Sequence, residues 1–179
     1  MLTLASTTHF PEYAIAEFDD FSELNRRLHD GFLQHQHATT SSKDHFFGGR
    51  FENIYIDETA IPSLSILRQA ILACASDILH IPVEQLRYGA WFNAMAPGDC
   101  TLPHNHDDYD EKLSAVYYIH AEPRSGDLTL QFDTENKVTI TPQAGRCVFF
   151  SPACEHHVSE NLSDDLRLSI GINIGVPQD

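Results

Sequence analysis

Pro103-His104-Asn105-His106-Asp107-Asp108, with Glu111 behind it and the run Leu113-Ser114-Ala115-Val116-Tyr117-Tyr118 following, decides how the rest of the chain is read. Two histidines two positions apart on an extended chain turn both imidazoles to one face, and Asp108 continues that row. Fifty residues after His106 comes the second half, Glu155-His156-His157-Val158, and after it Arg167-Leu168-Ser169. Histidines and a carboxylate on one strand, with a distant histidine from another, are the parts of a metal site inside a β-barrel. Imidazole with carboxylate selects iron, manganese, nickel or zinc, and two histidines plus a carboxylate with open positions suit non-haem Fe(II). The residues alone leave the row open. It reads as His104 with His106, as His106 with Asp108, or with Glu111 as the carboxylate.

Strand pattern surrounds this stretch. From Leu86 to Gly175 short apolar runs are punctuated by turn signals, at Pro97-Gly98 and at Pro123-Arg124-Ser125-Gly126. Runs begin at Leu86, Leu113, Asp127, Val138, Arg146, His157 and Arg167. The last run divides cleanly, with Leu168, Ile170, Ile172 and Ile174 on one face and Arg167, Ser169, Gly171 and Asn173 on the other. A solvent face does not need the missing side chain of Gly171, so the polar face is expected to line a cavity.

Upstream the period changes to that of helices. Phe21, Leu24, Leu28 and Phe32 predict a helix from about Ser22 to Leu33, with Asp20 and Glu23 as a capping box. Leu64, Leu67, Ile71, Ala75 and Ile78 predict a second, capped by Ser63 and stopped before Pro82. An edge strand is expected at Tyr13 to Phe18, a turn at Gly48-Gly49 and a short strand at Phe51 to Ile56. His35, His37 and His45 fall in or beside a polar loop from Ala38 to Asp44 and read as solvated. The fold class is mainly β with N-terminal helices: a β-barrel or sandwich with the helices packed on one side. One domain is expected over 1–179, its helical part about 20–80 and its barrel core about 86–175.

The totals narrow the function. The chain has 179 residues, 42% hydrophobic and 21% charged, which suits a packed domain rather than disorder. Its formal net charge of −15 opposes nucleic-acid binding and anionic membranes, both of which need a basic footprint. Cys74, Cys100, Cys147 and Cys154 form no C-x-x-C pair and read as reduced thiols. No run approaches the roughly 20 apolar residues of a membrane span, and the expected location is cytoplasmic.

At these residues the sequence resembles two related families, and the resemblance implies their fold, a double-stranded β-helix (jelly-roll, cupin-like) barrel with helices packed on one sheet. The weaker likeness is to cupins: Gly98, His104, His106 and Glu111 fit the first cupin motif. Pro152, His157 and Asn161 fit the second, with Cys154 replacing its glycine. The stronger is to 2-oxoglutarate- and Fe(II)-dependent oxygenases. It is carried in order by Trp91-Phe92-Asn93, His104-Asn105-His106, Ser114-Ala115-Val116-Tyr117-Tyr118, Ser125-Gly126-Asp127-Leu128, His156-His157-Val158 and Arg167-Leu168-Ser169-Ile170-Gly171-Ile172-Asn173. The chain departs from that pattern in Ser151-Pro152, in Ala115 and in extra residues between His106 and Ser114.

Arg167 separates the two. The oxygenase resemblance implies that it clamps the distal carboxylate of 2-oxoglutarate with Ser169, a role that suits a guanidinium fork; a cupin has no such need. The alternative for Arg167 is an ion pair with Asp164 or Asp165. Both resemblances favour His104 and His106 as metal ligands. Adjacent strand residues face opposite ways, so only one of His156 and His157 can join them. Cupin spacing selects His157, whereas oxygenase spacing selects His156, six residues after Phe150 and eleven before Arg167. With Arg167 in the oxygenase register, the expected metal set is His104, His106 and His156. The expected cosubstrate set is Arg167, Ser169 and Tyr118. The implied activity is an Fe(II)- and 2-oxoglutarate-dependent hydroxylase acting on a small molecule or peptide, with a homodimer as the only protein partner considered. The alternatives are a cupin-type dioxygenase or isomerase without 2-oxoglutarate, and a metal- or ligand-binding barrel without turnover.

Overall fold

The computed structural model of the chain describes residues 2–106 and 110–177. In chain order come β1 (Thr3–His9), β2 (Tyr13–Asp19), α1 (Phe21–His35), β3 (Ser42–Phe47), β4 (Arg50–Tyr55) and α2 (Ser63–Leu79). The barrel strands follow: β5 (Arg87–Met95), β6 (Thr101–His104), β7 (Glu111–His120), β8 (Leu128–Gln131), β9 (Lys137–Ile140), β10 (Arg146–Phe150), β11 (Glu155–Val158) and β12 (Arg167–Gly175). They form two antiparallel sheets, one of eight strands in the order β1-β2-β10-β7-β12-β5-β4-β3 and one of four in the order β6-β11-β8-β9. This is the double-stranded β-helix that the family resemblance implies.

Alternation in the central strands explains why the large sheet packs on both faces. Leu113, Ala115, Tyr117 and Ile119 of β7, Cys147 and Phe149 of β10, and Leu168, Ile170, Ile172 and Ile174 of β12 join one core with Leu28, Phe32, Leu67 and Ile71 of the helices. The intervening Tyr118, Val148 and Phe150 turn the other way, into a second core with Leu128, Leu130 and Val158 of the small sheet. Helices therefore cover the outside of the large sheet, and the small sheet closes its inside. Asn25 of α1 ties the layers: its Nδ2 donates to the Ile119 carbonyl at 2.8 Å and its Oδ1 accepts from the Tyr117 hydroxyl at 2.7 Å.

Several local expectations are corrected. Tyr13–Asp19 is an inner strand between β1 and β10, and β1 is the edge. Asp20 does not cap α1: it sits at φ 54, in the left-handed region, with no side-chain cap bond. Glu23 is instead occupied by Arg26 and Arg27. Ser63 is the first residue of α2 rather than its cap, which is Pro62. The polar stretch read as loop contains β3, which pairs with β4 across the Gly48-Gly49 turn and carries His45. Strand β11 begins at Glu155 rather than His157, and β6 lay outside the predicted strands. All four cysteines are free thiols. Among the described residues no helix is long and apolar enough to cross a membrane.

Candidate metal centre

The small sheet sets the histidines. β6 and β11 pair antiparallel with His104 directly opposite His156, so both rings leave the same face of adjacent strands. Their centroids are 4.3 Å apart. His106, just past the end of β6, brings its ring to 5.1 Å from His104 and 5.2 Å from His156. One ring nitrogen from each of the three lies within 4.8 Å of the others. The neighbouring His157 pairs with Thr129 and is half-buried outside this group. Val158 lines the same cavity as His156, as alternation along β11 requires. Asp107 and Asp108 lie outside the described residues. Glu111 is the first residue of β7 and is not a member of the three-histidine group; its Oε1 accepts from Asn173 Nδ2 at 2.5 Å.

Backbone carbonyls fix two of the three tautomers. His104 Nδ1 lies 2.8 Å from the Leu102 carbonyl oxygen and His156 Nδ1 3.0 Å from that of Cys154. A carbonyl only accepts, so each Nδ1 carries the hydrogen and each Nε2 keeps the lone pair a metal needs. Burial, and then the neighbouring His104, pull the His156 imidazole down to about 3, which keeps it neutral.

Behind the histidines the same cavity is lined by Arg167, Ser169, Gly171 and Asn173, the polar face of β12. Arg167 is 1% exposed and makes no ion pair among the described residues. Asp165, the ion-pair partner that the alternative reading offered, lies 3.4 Å from His120 Nε2 instead. Arg167 Nη1 donates to Ser169 Oγ at 3.3 Å and rests against Met95 Sδ at 3.2 Å, while Nε and Nη2 have no hydrogen-bond partner. Tyr118, fully buried, places its ring 5.2 Å from the guanidinium carbon. Its hydroxyl favours the Arg167 charge but falls short of hydrogen-bond geometry. Burial pushes the Tyr118 phenol up to about 12, so it remains a donor. A buried guanidinium with unused N–H groups and no carboxylate is an anion site.

The β3–β4 hairpin supplies residues that the sequence reading did not single out. Arg50, beside the hairpin turn, contacts Glu52 Oε1, the Cys100 carbonyl and Thr101 Oγ1, each at 3.1 Å. It also faces Asp99 at 3.6 Å. Arg50 thus clasps β4 to the start of β6. The only available signal was its place next to Gly48-Gly49. A second grouping, His120, Glu122 and Asp165, lies at the far end of β7 as a solvated set of ion pairs.

A double-stranded β-helix thus brings three converging histidine nitrogens, a candidate metal site, into one cavity with a buried cation. Residues 90–175 match the family model described as the 2OG-Fe(II) oxygenase superfamily. Over this stretch the chain is similar to that superfamily, whose description names 2-oxoglutarate and Fe(II). Comparison with curated proteins finds no match. Among solved structures, the chain resembles SnoK, a non-haem α-ketoglutarate-dependent carbocyclase from nogalamycin biosynthesis. The TM-score is 0.74 at 15% identity, covering 92% of this chain and 79% of that one. It also resembles EvdO2 from Micromonospora carbonacea var. aurantiaca (TM-score 0.73, 14% identity, 100% and 95% covered). A third is a prolyl-4-hydroxylase from Pseudomonas putida (TM-score 0.64, 18% identity, 93% and 89% covered). At these identities the likeness is one of fold.

Proposed function

We propose that the chain is an Fe(II)- and 2-oxoglutarate-dependent hydroxylase in which His104, His106 and His156 hold the metal and Arg167 with Ser169 holds the distal carboxylate of 2-oxoglutarate. The observation that carries this reading is Arg167, a buried guanidinium with two unpartnered nitrogens, Nε and Nη2, in the cavity that the three histidines share. The residues fit both groups. Neutral Nε2 donors suit Fe(II), and three ligands leave coordination positions for a chelating cosubstrate. An all-histidine set differs from the two-histidine, one-carboxylate set in leaving the metal's charge for 2-oxoglutarate to offset.

When bound, Fe(II) and 2-oxoglutarate with O₂ supply the oxidant, 2-oxoglutarate leaving as succinate and CO₂. The chain's own residues position and exclude. Arg167 fixes the far end of the cosubstrate by a charge-assisted fork, and the Ser169 hydroxyl, 3.3 Å from Nη1, helps hold that fork in plane. Tyr118 donates no charge and keeps the guanidinium packed from below. Phe150, its ring centroid 4.8 Å from that of His156, and Val158 give the cavity apolar walls that would limit water beside a metal held by the histidines. The carbocyclase and prolyl hydroxylase of similar fold act on different substrates by different outcomes, so substrate identity belongs to residues outside this common set.

Equilibrium binding of 2-oxoglutarate, with succinate release as a second readout, tests the reading. Arg167→Ala leaves a carboxylate without its buried partner and is expected to cost on the order of 3–5 kcal/mol in 2-oxoglutarate binding while metal binding persists. Arg167→Lys restores only part, because an ammonium lacks the planar fork. Equal 2-oxoglutarate binding by wild type and Arg167→Ala would sink the oxygenase reading in favour of a cupin-type site.

A further inference from the structure

A second set of ligand atoms converges where α1 packs on the end of β7. His120 closes β7, Glu122 follows it, and Asp165 stands just before β12. One donor atom from each lies within 4.8 Å of the others, the same closeness that unites His104, His106 and His156. Asn25 brings a fourth group to the set. Its side chain is bonded to the Ile119 carbonyl, and His29 lies one helical turn later on the same face of α1. The His29 and His120 rings therefore meet edge to face, their centroids 5.9 Å apart. A cavity of about 410 Å³ opens among these groups, with His29, His120 and Asp165 in its lining.

The geometry points to a second metal site, in which His120, Glu122 and Asp165 hold Zn(II) and His29 completes the set by a change of rotamer. Spacing separates this from a set of direct ion pairs. A charge-assisted hydrogen bond brings nitrogen and oxygen to about 2.7–2.9 Å. His120 Nε2 stands 3.4 Å from Asp165 Oδ2 and 3.9 Å from Glu122 Oε1. Two ligand atoms each about 2.0–2.1 Å from a tetrahedral Zn(II) are about 3.3 Å apart, so a shared cation fits the gap. The Asp165 carboxylate is already aimed. Its Oδ1 accepts from the Leu166 N–H at 2.8 Å, which leaves Oδ2 toward His120. The Asp165 carbonyl is held in turn by Asn161 Nδ2 at 2.9 Å and Ser163 Oγ at 3.2 Å. Partners of this kind behind a ligand fix its orientation and strengthen the site. Arg26, which also lines the cavity, is committed to Glu23 and Asp30 and does not take the metal's place. Imidazole with carboxylate suits Zn(II), whereas Mn(II) binds such donors most weakly of the first-row divalent metals. A metal here would join α1, β7 and the approach to β12, two residues from Arg167. The site stands on these residues alone, whether or not the proposed function holds.

The test titrates Zn(II) into the full chain carrying His104→Ala and His106→Ala, so that the central set is gone, with free metal read by a competing chromophoric chelator. One equivalent per chain is expected, at a dissociation constant on the order of 1 μM. A site of that strength empties on desalting, so metal retained after desalting reports the central set. Adding His120→Ala should abolish the saturable binding, and Asp165→Asn or His29→Ala should each weaken it roughly tenfold. Zn(II) should also raise the melting temperature of the double variant, and Mn(II) at the same concentration should not. His29 and His120 are half-buried and Asp165 is exposed, so each added change should leave the metal-free melt where it was. No saturable Zn(II) binding by the double variant overturns the site. Binding unchanged by His120→Ala, or by both Asp165→Asn and His29→Ala, marks adventitious metal on other surface histidines only and overturns it too.

Discussion

A methyl group at position 171 has nowhere to go. β12 and β5 pair Gly171 directly with Trp91, and a Cβ there would stand 2.5 Å from Trp91 Cε2. The glycine lets the indole reach across the sheet toward His106, their ring centroids 5.6 Å apart. Gly171→Ala is expected to destabilise the fold by about 1–3 kcal/mol through overpacking. It should also move the emission of the only tryptophan, both read in one denaturant titration. An alanine variant with unchanged midpoint and spectrum would show that the ring is not held there. His156 and His157 give the second test at this scale. His156→Ala should remove the bound transition metal, measured as metal per chain after desalting, while His157→Ala, on the opposite face of β11, should retain it. The reverse result shifts the register by one residue and restores the cupin alignment.

At the scale of elements, legibility followed period. β12 could be read residue by residue because its apolar face is continuous, and α1 and α2 because their stripes repeat at helical spacing. β3, Ser42-Lys43-Asp44-His45-Phe46-Phe47, could not, since an edge strand with mostly exposed side chains has no alternation to display. β6 was hidden for a related reason: at four residues, with Pro103 inside it, it is defined by pairing with β11 rather than by its own pattern. The Asp20 capping box failed because the chain enters α1 through a left-handed residue and Glu23 finds arginines one turn on. The H-x-H pair and the distal histidine that cluster with it were legible in the sequence, and the Arg50 clasp was not, because its partners come from three separate segments. That clasp makes the hairpin testable. Its side chain is 13% exposed and serves two carboxylates, so Arg50→Ala leaves Glu52 and Asp99 without their shared cation. Losing a largely buried partner is expected to cost about 3–5 kcal/mol, less where water reaches the freed carboxylates. Hydrogen exchange should rise selectively in β3 and β4, with β7 and β12 unchanged. Uniform protection across the variant would mean that the hairpin is held by its aromatic contacts alone.

For the whole molecule, cofactor binding should appear as folding stability, since the site joins segments from β6, β11 and β12 that come together only in the native state. A ligand bound to the folded chain alone stabilises it by about 2.7 kcal/mol at a hundredfold excess over its dissociation constant. For a chain of this size each kcal/mol raises the melting temperature by about 2–4 °C, so a saturating metal should add about 5–11 °C. Mn(II), which resists air oxidation, is the stand-in for Fe(II). The order of addition carries the argument. If one end of 2-oxoglutarate is held through the metal, as proposed, 2-oxoglutarate alone should shift the melt little, and after Mn(II) it should add a further rise. Arg167→Ala should keep the first rise and lose the second. The His104→Ala, His106→Ala double variant should lose both, and a chelator should return the wild type to its starting midpoint. A 2-oxoglutarate shift of full size in the double variant would place the cosubstrate elsewhere in the molecule and break the link between the histidines and the buried arginine.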